Sequence, residues 1–400
     1  MALKTELLAP AGNLERLKWA VVYGADAVYF GITDFSLRSF AGNFTLDDAR
    51  LGLDYLHQNG RKGYVTLNIY PFSNEYDELM RTAAELDEMG ADAFIVSDLG
   101  VMRALRQLNL KTPIHVSTQA NTTSWQAVLA YRDLGAKRVN LARELSMEQI
   151  KEIQRNLEGE QVETEVFIHG SVCFSYSGRC AISDYLTGRM ANRGECTQPC
   201  RWNYTLMEEK RPGQHFPVFE DERGLYLFNS RDLALFPFVP DLVNCGVASL
   251  KIEGRMKNVH YLAAVLSVYR AVLDGKAMPE EIAYKMLGRV SNRGYTFGFM
   301  KGRITPDDYE TSTHKYQSTS VMVASTTEQM HGEQRVCRVK NTIQAGEQLE
   351  LLTPNGVSSY TLPNPLVSLE GESIDHANNQ DVILLNNDLP PYAVLRRVYS

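Results

Sequence analysis

Hydrophobic and polar positions along this chain switch between two periods at regular intervals. Short apolar runs with strand character fall at 6–9, 27–31, 63–69, 93–97, 114–118, 138–142, 165–169 and 249–253. Between most of them, apolar residues recur every three or four positions, as in LERLKWAVVYG, YDELMRTAAELDEMG, SWQAVLAYRDLG and SMEQIKEIQRNL. That spacing predicts amphipathic helices, several of them closed by a glycine C-cap. The phrases YGADAVYFG, MGADAFIVSD and LGAKRVNLA repeat one theme of helix end, glycine, small residue and apolar strand. Eight such strands, followed by the helical NVHYLAAVLSVYRAVLDG, predict an α/β fold, a (β/α)8 TIM-like barrel. The barrel domain is expected over 1–317, with a Cys-rich insertion after strand 7 at 171–244. From 318 to 400 the runs VMVAS, RVCRVK, EQLELLT and DVILLN alternate between turn signals, which predicts a small C-terminal all-β domain.

A chain of 400 residues with 44% hydrophobic content can bury a large core. Its net charge of −7 argues against nonspecific nucleic-acid binding by the whole surface. From Arg179 to Arg211, however, six cationic side chains face four acidic ones. Arg189, Arg193 and Arg201 are the candidate RNA-binding residues of this basic stretch, and Trp202 and Tyr204 could stack on bases. A solvated loop with aromatic anchors is the alternative. The start MALKTELLAPAGN lacks an apolar stretch of signal-peptide length, and no window approaches a membrane span. A cytoplasmic protein with reduced thiols and no membrane partner is therefore expected.

Four of the six cysteines, Cys173, Cys180, Cys196 and Cys200, fall within one 28-residue window of the insertion. Four thiolates so close are the ligand complement of an iron-sulfur cluster or a structural zinc. Zinc sites usually draw ligands as two tight pairs, whereas here only Cys196 and Cys200 form a local pair. The irregular spacing favours a 4Fe-4S cluster, with zinc and a thiol or disulfide role as alternatives. Cys337, in a predicted strand, reads as core, and Cys245, before the eighth strand, reads as a buried apolar residue held in reserve as a ligand.

The run EVFIHGSVCFSYSGRCAIS, followed by NRGECTQPCRWNY, NSRDL and SLKIEGRMKN, resembles the signature blocks of the U-32 peptidase family. The resemblance extends from ELLAPAG to the terminal β segment. It implies an iron-sulfur protein that hydroxylates the wobble uridine of tRNA to 5-hydroxyuridine without oxygen, with prephenate as the hydroxyl donor. Electron-transfer or iron-sulfur assembly proteins would be its further partners. Other members of the family hydroxylate a cytidine of ribosomal RNA, act in quinone synthesis, or carry a collagenase-like protease label. The family's cluster cysteines match Cys173 and Cys180 in the first block and Cys196 and Cys200 in the second. Some relatives take a ligand just after the NS-x-D-L block, where this chain has Ala234, so the resemblance assigns the fourth ligand to Cys200 with Cys245 as the fallback.

If prephenate is the donor, its two carboxylates need cationic forks, and Arg38, Arg143, Lys251 and Arg255 fall near strand ends where they would supply them. The structural alternative is a salt bridge, to Glu144 for Arg143 and to Glu253 for Lys251 and Arg255. Gln119 and His169, also at strand ends, are the candidate catalytic residues placed to hydrogen-bond substrate, with weaker claims for Asn68, Ser97 and Asp98. His169 lies four residues before Cys173 and invites a Cys-His peptidase reading. A thiolate bound to iron is not free to attack an amide, and no HEXXH pattern occurs for a zinc protease.

Overall fold

The computed structural model describes residues 5–33, 35, 36, 43–173, 175, 179, 180, 182–201, 206, 207, 215, 216, 219–221, 224–226, 231–303 and 316–399, and the side chains of 201–226 lie outside the described set. Eight parallel strands close a barrel: β1 (Glu6–Ala11), β2 (Ala27–Gly31), β3 (Lys62–Leu67), β4 (Ala93–Val96), β5 (Ile114–Val116), β6 (Ala136–Asn140), β7 (Glu163–Gly170) and β8 (Ser249–Ile252). Each pairs with the next, and β8 closes the ring by pairing with both β7 and β1. The register sets Leu7 against Leu250 and Ser249 against Glu165.

The crossovers are α1 (Leu14–Val22), α2 (Leu46–Gln58), α3 (Tyr76–Glu88), α4 (Leu99–Gln107), α5 (Trp125–Asp133) and α6 (Met147–Asn156). Their starts are chemically explicit. The side chains of Thr45, Asp98, Ser124 and Ser146 accept hydrogen bonds from first-turn amides, satisfying donors the helix leaves over. The glycines of the repeated phrase, Gly24, Gly90 and Gly135, have φ of 92°, 84° and 93°, the left-handed conformation that lets each helix stop and turn into the next strand.

The insertion is less loop-like than expected. It contains α7 (Ile182–Thr187), short 3-10 turns at Ala191–Arg193 and Pro199–Arg201, and two small hairpins. Its last part belongs to the barrel. The strand Asp232–Ala234 pairs antiparallel with the end of β7, and α8 (Val239–Asn244) leads into β8.

The chain divides into two compact units. The barrel unit comprises residues 1–21, 25–256 and 293–316, and the other comprises 22–24, 257–292 and 317–400. Residues 257–292, which the pattern alone leaves with the barrel, thus group with the C-terminal segment. They form α9 (Val259–Leu273) and α10 (Glu280–Gly288), where His260 meets the buried Arg396 guanidinium at 3.3 Å and Arg289 reaches Glu350 at 3.4 Å. The rest of this unit is an eight-stranded antiparallel sheet over Val323, Cys337, Ile343, Leu366, Ile383 and Leu395, all fully buried. Burial pushes the Cys337 thiol up to about 12, so it behaves as core.

Inside the barrel, polar side chains form a connected buried layer. Glu165 accepts from Lys251 at 2.8 Å and from the Asn140 amide at 2.7 Å, and its other oxygen lies 3.6 Å from Arg138. Arg138 also pairs with Glu6 at 2.7 Å and with Glu163 at 2.7 Å, while Tyr64 and Ser249 donate to Glu6 at 2.6 and 3.1 Å. Burial alone would raise the Glu165 carboxyl, but Lys251 and Arg138 outweigh it and hold the group below its ordinary value.

Glu165→Ala strands the Lys251 ammonium in the lumen and removes one of three acids around Arg138, and is expected to cost roughly 3–5 kcal/mol in urea unfolding. A loss below ~1 kcal/mol would contradict the network. The depressed carboxyl contributes stability that is complete above about pH 4.3, where the unfolded group is ionised, and is lost as pH falls through its lower folded value. Glu165→Gln should flatten that acid limb.

Candidate functional site

A cavity of about 280 Å³ opens where the C-terminal ends of the barrel strands meet the insertion. Tyr29 of β2, Thr66 of β3, Ile95 of β4, Asn140 of β6, Phe167 of β7 and Lys251 of β8 form its wall, with Asn68, Gln119, Arg143, Glu144, Ser171, Glu253 and Arg255 from the segments that follow the strands. This is the face of a (β/α)8 barrel where loops from different strands converge. From the insertion come Cys173, Cys180, Cys196 and Cys200, all four in the lining.

The four cysteines form no disulfide, Cys173 and Cys196 being exposed and Cys180 and Cys200 half-buried. Local backbone turns aim donors at two of the sulfurs. The amide of Ile182 donates to Cys180 Sγ and that of Gln198 to Cys196 Sγ, each at 3.4 Å. Gln198 adopts φ of 59° to make its turn, a conformation few residues accept without cause. The Asn192 side chain brackets Cys180, its oxygen accepting from the Cys180 amide at 3.4 Å and its nitrogen donating to the Cys180 carbonyl at 3.5 Å. Ser183 of α7 ties in the second cysteine pair by accepting from the Thr197 amide at 3.1 Å. Among the described residues no three His, Cys, Asp or Glu side chains converge closely enough for a single metal ion. Four cysteines in the lining of one cavity, with backbone amides directed at two of the sulfurs, are a donor set with which an iron-sulfur group is compatible.

The cations of the wall are each held in place. Lys251 pairs with Glu165 across the β7–β8 seam, and its ammonium lies 4.5 Å from the Tyr29 ring centroid and 5.4 Å from that of Phe167. Arg143 stacks on Phe167 at 4.0 Å and donates to the Ser171 carbonyl at 3.1 Å, at the root of the insertion. Arg255 is buried and donates to Ser36 at 2.7 Å and Thr66 at 3.2 Å, both uncharged hydroxyls. Arg16 in turn donates to the Arg255 carbonyl at 3.1 Å. The Glu253 carboxylate, also on the wall, accepts from Tyr29 at 3.0 Å. The cavity thus sets guanidinium and ammonium groups beside thiols and the carboxylates of Glu144 and Glu253.

Residues 12–309 match the model of Peptidase family U32, and residues 319–396 match the Peptidase family U32 C-terminal domain. The chain belongs to peptidase family U32. Its relatives include tRNA hydroxylation protein P of Escherichia coli (strain K12), 36% identical over 99% of this chain and 97% of that protein. tRNA hydroxylation protein P1 of Bacillus subtilis (strain 168) is 36% identical over 90% of this chain and 85% of that protein. The 23S rRNA 5-hydroxycytidine C2501 synthase of E. coli is 36% identical over 68% of this chain and 39% of its own length.

This U32 barrel does not gather every residue the sequence singled out. His169 is buried beside Tyr295, ring centroids 5.6 Å apart, and no histidine is among the described lining residues. Gln119 does line the cavity, where Ser97 donates to its side-chain oxygen at 3.3 Å. Asp98 caps α4, accepting from the Val101 amide and from Tyr76, both at 2.9 Å. The Cys245 thiol donates to the Leu242 carbonyl at 3.3 Å, is pushed up by burial, and lies off the cavity. Arg193 is ion-paired with Glu75, and Arg189 is exposed. Arg38 and the side chain of Arg201 lie outside the described residues. Sequence reasoning missed Asn140, Glu165 and Tyr29, although polar residues in alternate positions of RVNLA and ETEVFIH were a signal for a polar lumen.

Gly31 makes room for the Arg255 fork. A Cβ there would lie 2.2 Å from Arg255 Nη1 and 2.2 Å from Ser36 Oγ. Gly31→Ala should destabilise by about 1–3 kcal/mol through overpacking, and the cost should shrink when combined with Arg255→Ala, a coupling that a double-mutant cycle of urea unfolding reads directly. Strict additivity would contradict the contact.

Proposed function

We propose that this U32 protein hydroxylates a pyrimidine of RNA, converting the wobble uridine of tRNA to 5-hydroxyuridine without oxygen. Cys173, Cys180, Cys196 and Cys200 would hold a 4Fe-4S cluster, and Arg143, Lys251 and Arg255 would hold prephenate as the hydroxyl donor. The observation that carries this reading is the meeting of four cysteines outside any disulfide with three cations, Lys251 of β8 and Arg143 and Arg255 just past strand ends, in one cavity. The names of relatives support it: two are tRNA hydroxylation proteins, and a third makes 5-hydroxycytidine in ribosomal RNA.

Replacing a ring C–H by C–OH oxidises the base by two electrons, so the reaction needs an electron acceptor as well as an oxygen source. A bound cluster supplies one-electron transfer to such an acceptor, for which an electron-transfer protein is the natural partner. The residues of this chain would bind and orient. The planar forks of Arg143 and Arg255 match carboxylates bidentately. Gln119 would hydrogen-bond substrate from the wall. A Cys-His peptidase finds less support, because His169 turns toward Tyr295 while Cys173 lines the cavity.

Anaerobically purified protein should contain iron and sulfide near cluster stoichiometry, and Cys196→Ala should lose both. Arg143→Ala and Arg255→Ala should keep the iron yet reduce 5-hydroxyuridine formation at least about thirtyfold, the ~2 kcal/mol lower end for losing a buried charged contact, with Lys a poor replacement. Nucleoside mass spectrometry of tRNA from cells carrying each variant reads the outcome. Stoichiometric zinc without iron after anaerobic reconstitution would sink the cluster, and wild-type hydroxylation in both arginine variants would sink the donor site.

A further inference from the structure

Next to the first cavity lies a second, of about 230 Å³, and the two share Cys180 and Ala191 in their walls. Its remaining described lining is Tyr70 and Phe72 from the loop before α3, Asp184 of α7, and Met190, Asn192 and Arg193. Phe72 is 55% exposed and Met190 40%, so large apolar side chains stand uncovered around it. The platform is nonetheless rigid. The Arg193 guanidinium lies 4.4 Å from the Phe72 ring centroid, is ion-paired with Glu75, and donates to the Tyr70 carbonyl at 3.0 Å. Glu75 accepts from the Phe72 amide at 2.5 Å, which fixes the ring's root. Arg179 sits over Tyr70 at 5.7 Å and donates to its hydroxyl at 3.2 Å. On the same segment Tyr185 is 89% exposed, and Arg189 is exposed too.

Aromatic rings backed by Arg193 and Arg179, with one carboxylate in the lining, have the chemistry of a site for an unpaired base. The rings and methionine supply stacking faces, the exposed Arg189 of the same segment draws the phosphates, and the Asp184 carboxylate accepts from a base N–H. A protein partner would call for a broader and less cationic apolar face. We propose that this second cavity seats the pyrimidine that is to be modified, extruded from a single-stranded RNA loop, with the ring edge that takes the hydroxyl turned to the first cavity where the two adjoin at Cys180 and Ala191. This inference rests on the RNA-hydroxylation reading and adds to it a substrate subsite distinct from the donor cavity. It also reassigns Arg193, which acts as the back support of a stacking ring rather than as a phosphate contact.

The test uses full-length holoprotein and an anticodon stem-loop carrying 4-thiouridine at the wobble position. Photocrosslinking followed by peptide mapping should place the adduct within residues 70–75 or 182–193. Phe72→Ala should weaken binding of the unmodified stem-loop about tenfold, within the range for one lost base stack, with iron and sulfide unchanged. Adducts outside those two segments, or wild-type affinity in Phe72→Ala, would overturn the subsite. The crosslink needs no turnover. A wild-type protein that crosslinks there yet leaves its RNA unhydroxylated keeps the subsite and overturns the reaction.

Discussion

Glu165 is the group on which the mouth of this barrel is built. It carries a carboxylate into the lumen at the β7–β8 seam, where it pairs with the buried Lys251 ammonium and stands as a third acid near Arg138, which also pairs with Glu6 and Glu163. From that pair the arrangement propagates outward. Lys251 lies against Tyr29 and Phe167, Phe167 carries the Arg143 guanidinium on its face, and Arg143 binds the carbonyl of Ser171, where the insertion departs. Lumen charge, aromatic wall, cationic fork and cysteine loop are therefore one mechanically connected series. A buried ion pair adds little net stability against an apolar core of equal volume, and its value here is positional.

That series explains why much of the fold was readable in the sequence and the partners of the site were not. All eight strands and most of the helices between them announce themselves through period changes and glycine C-caps, which are local properties, and the glycines of the repeated phrase mark the turns between them. Pairing across the barrel is not local. Lys251 and Glu253 lie two apart on one strand and suggest a partnership, yet the register sets Lys251 beside the β7 residues, where Glu165 reaches its ammonium. Arg193 reads as a surface cation in a basic stretch, but the fold brings Glu75 to it from 118 positions away. Residues 257–292 continue the barrel's pattern and still group with the C-terminal unit through contacts such as His260 with Arg396.

The insertion shows the opposite balance. Its cysteine spacing was the strongest chemical signal in the chain. The fold turns that signal into a location: four cysteines in the lining of a cavity that Lys251 of β8 and, from the segments past the strands, Gln119, Arg143 and Arg255 also line. Neither half is sufficient alone. A thiol-held redox group without the cations would have no small anion to act beside, and the cations without the thiols would form only another barrel-mouth anion site.

The central claim is that these two halves act on one another within a single cavity, and a titration of the reconstituted protein under anaerobic conditions with prephenate tests it most directly. Electron paramagnetic resonance of the reduced cluster should change saturably as prephenate is added, and the change should vanish in Arg143→Ala and Arg255→Ala with the cluster itself retained. A cluster signal indifferent to prephenate that calorimetry shows to be bound would contradict the account.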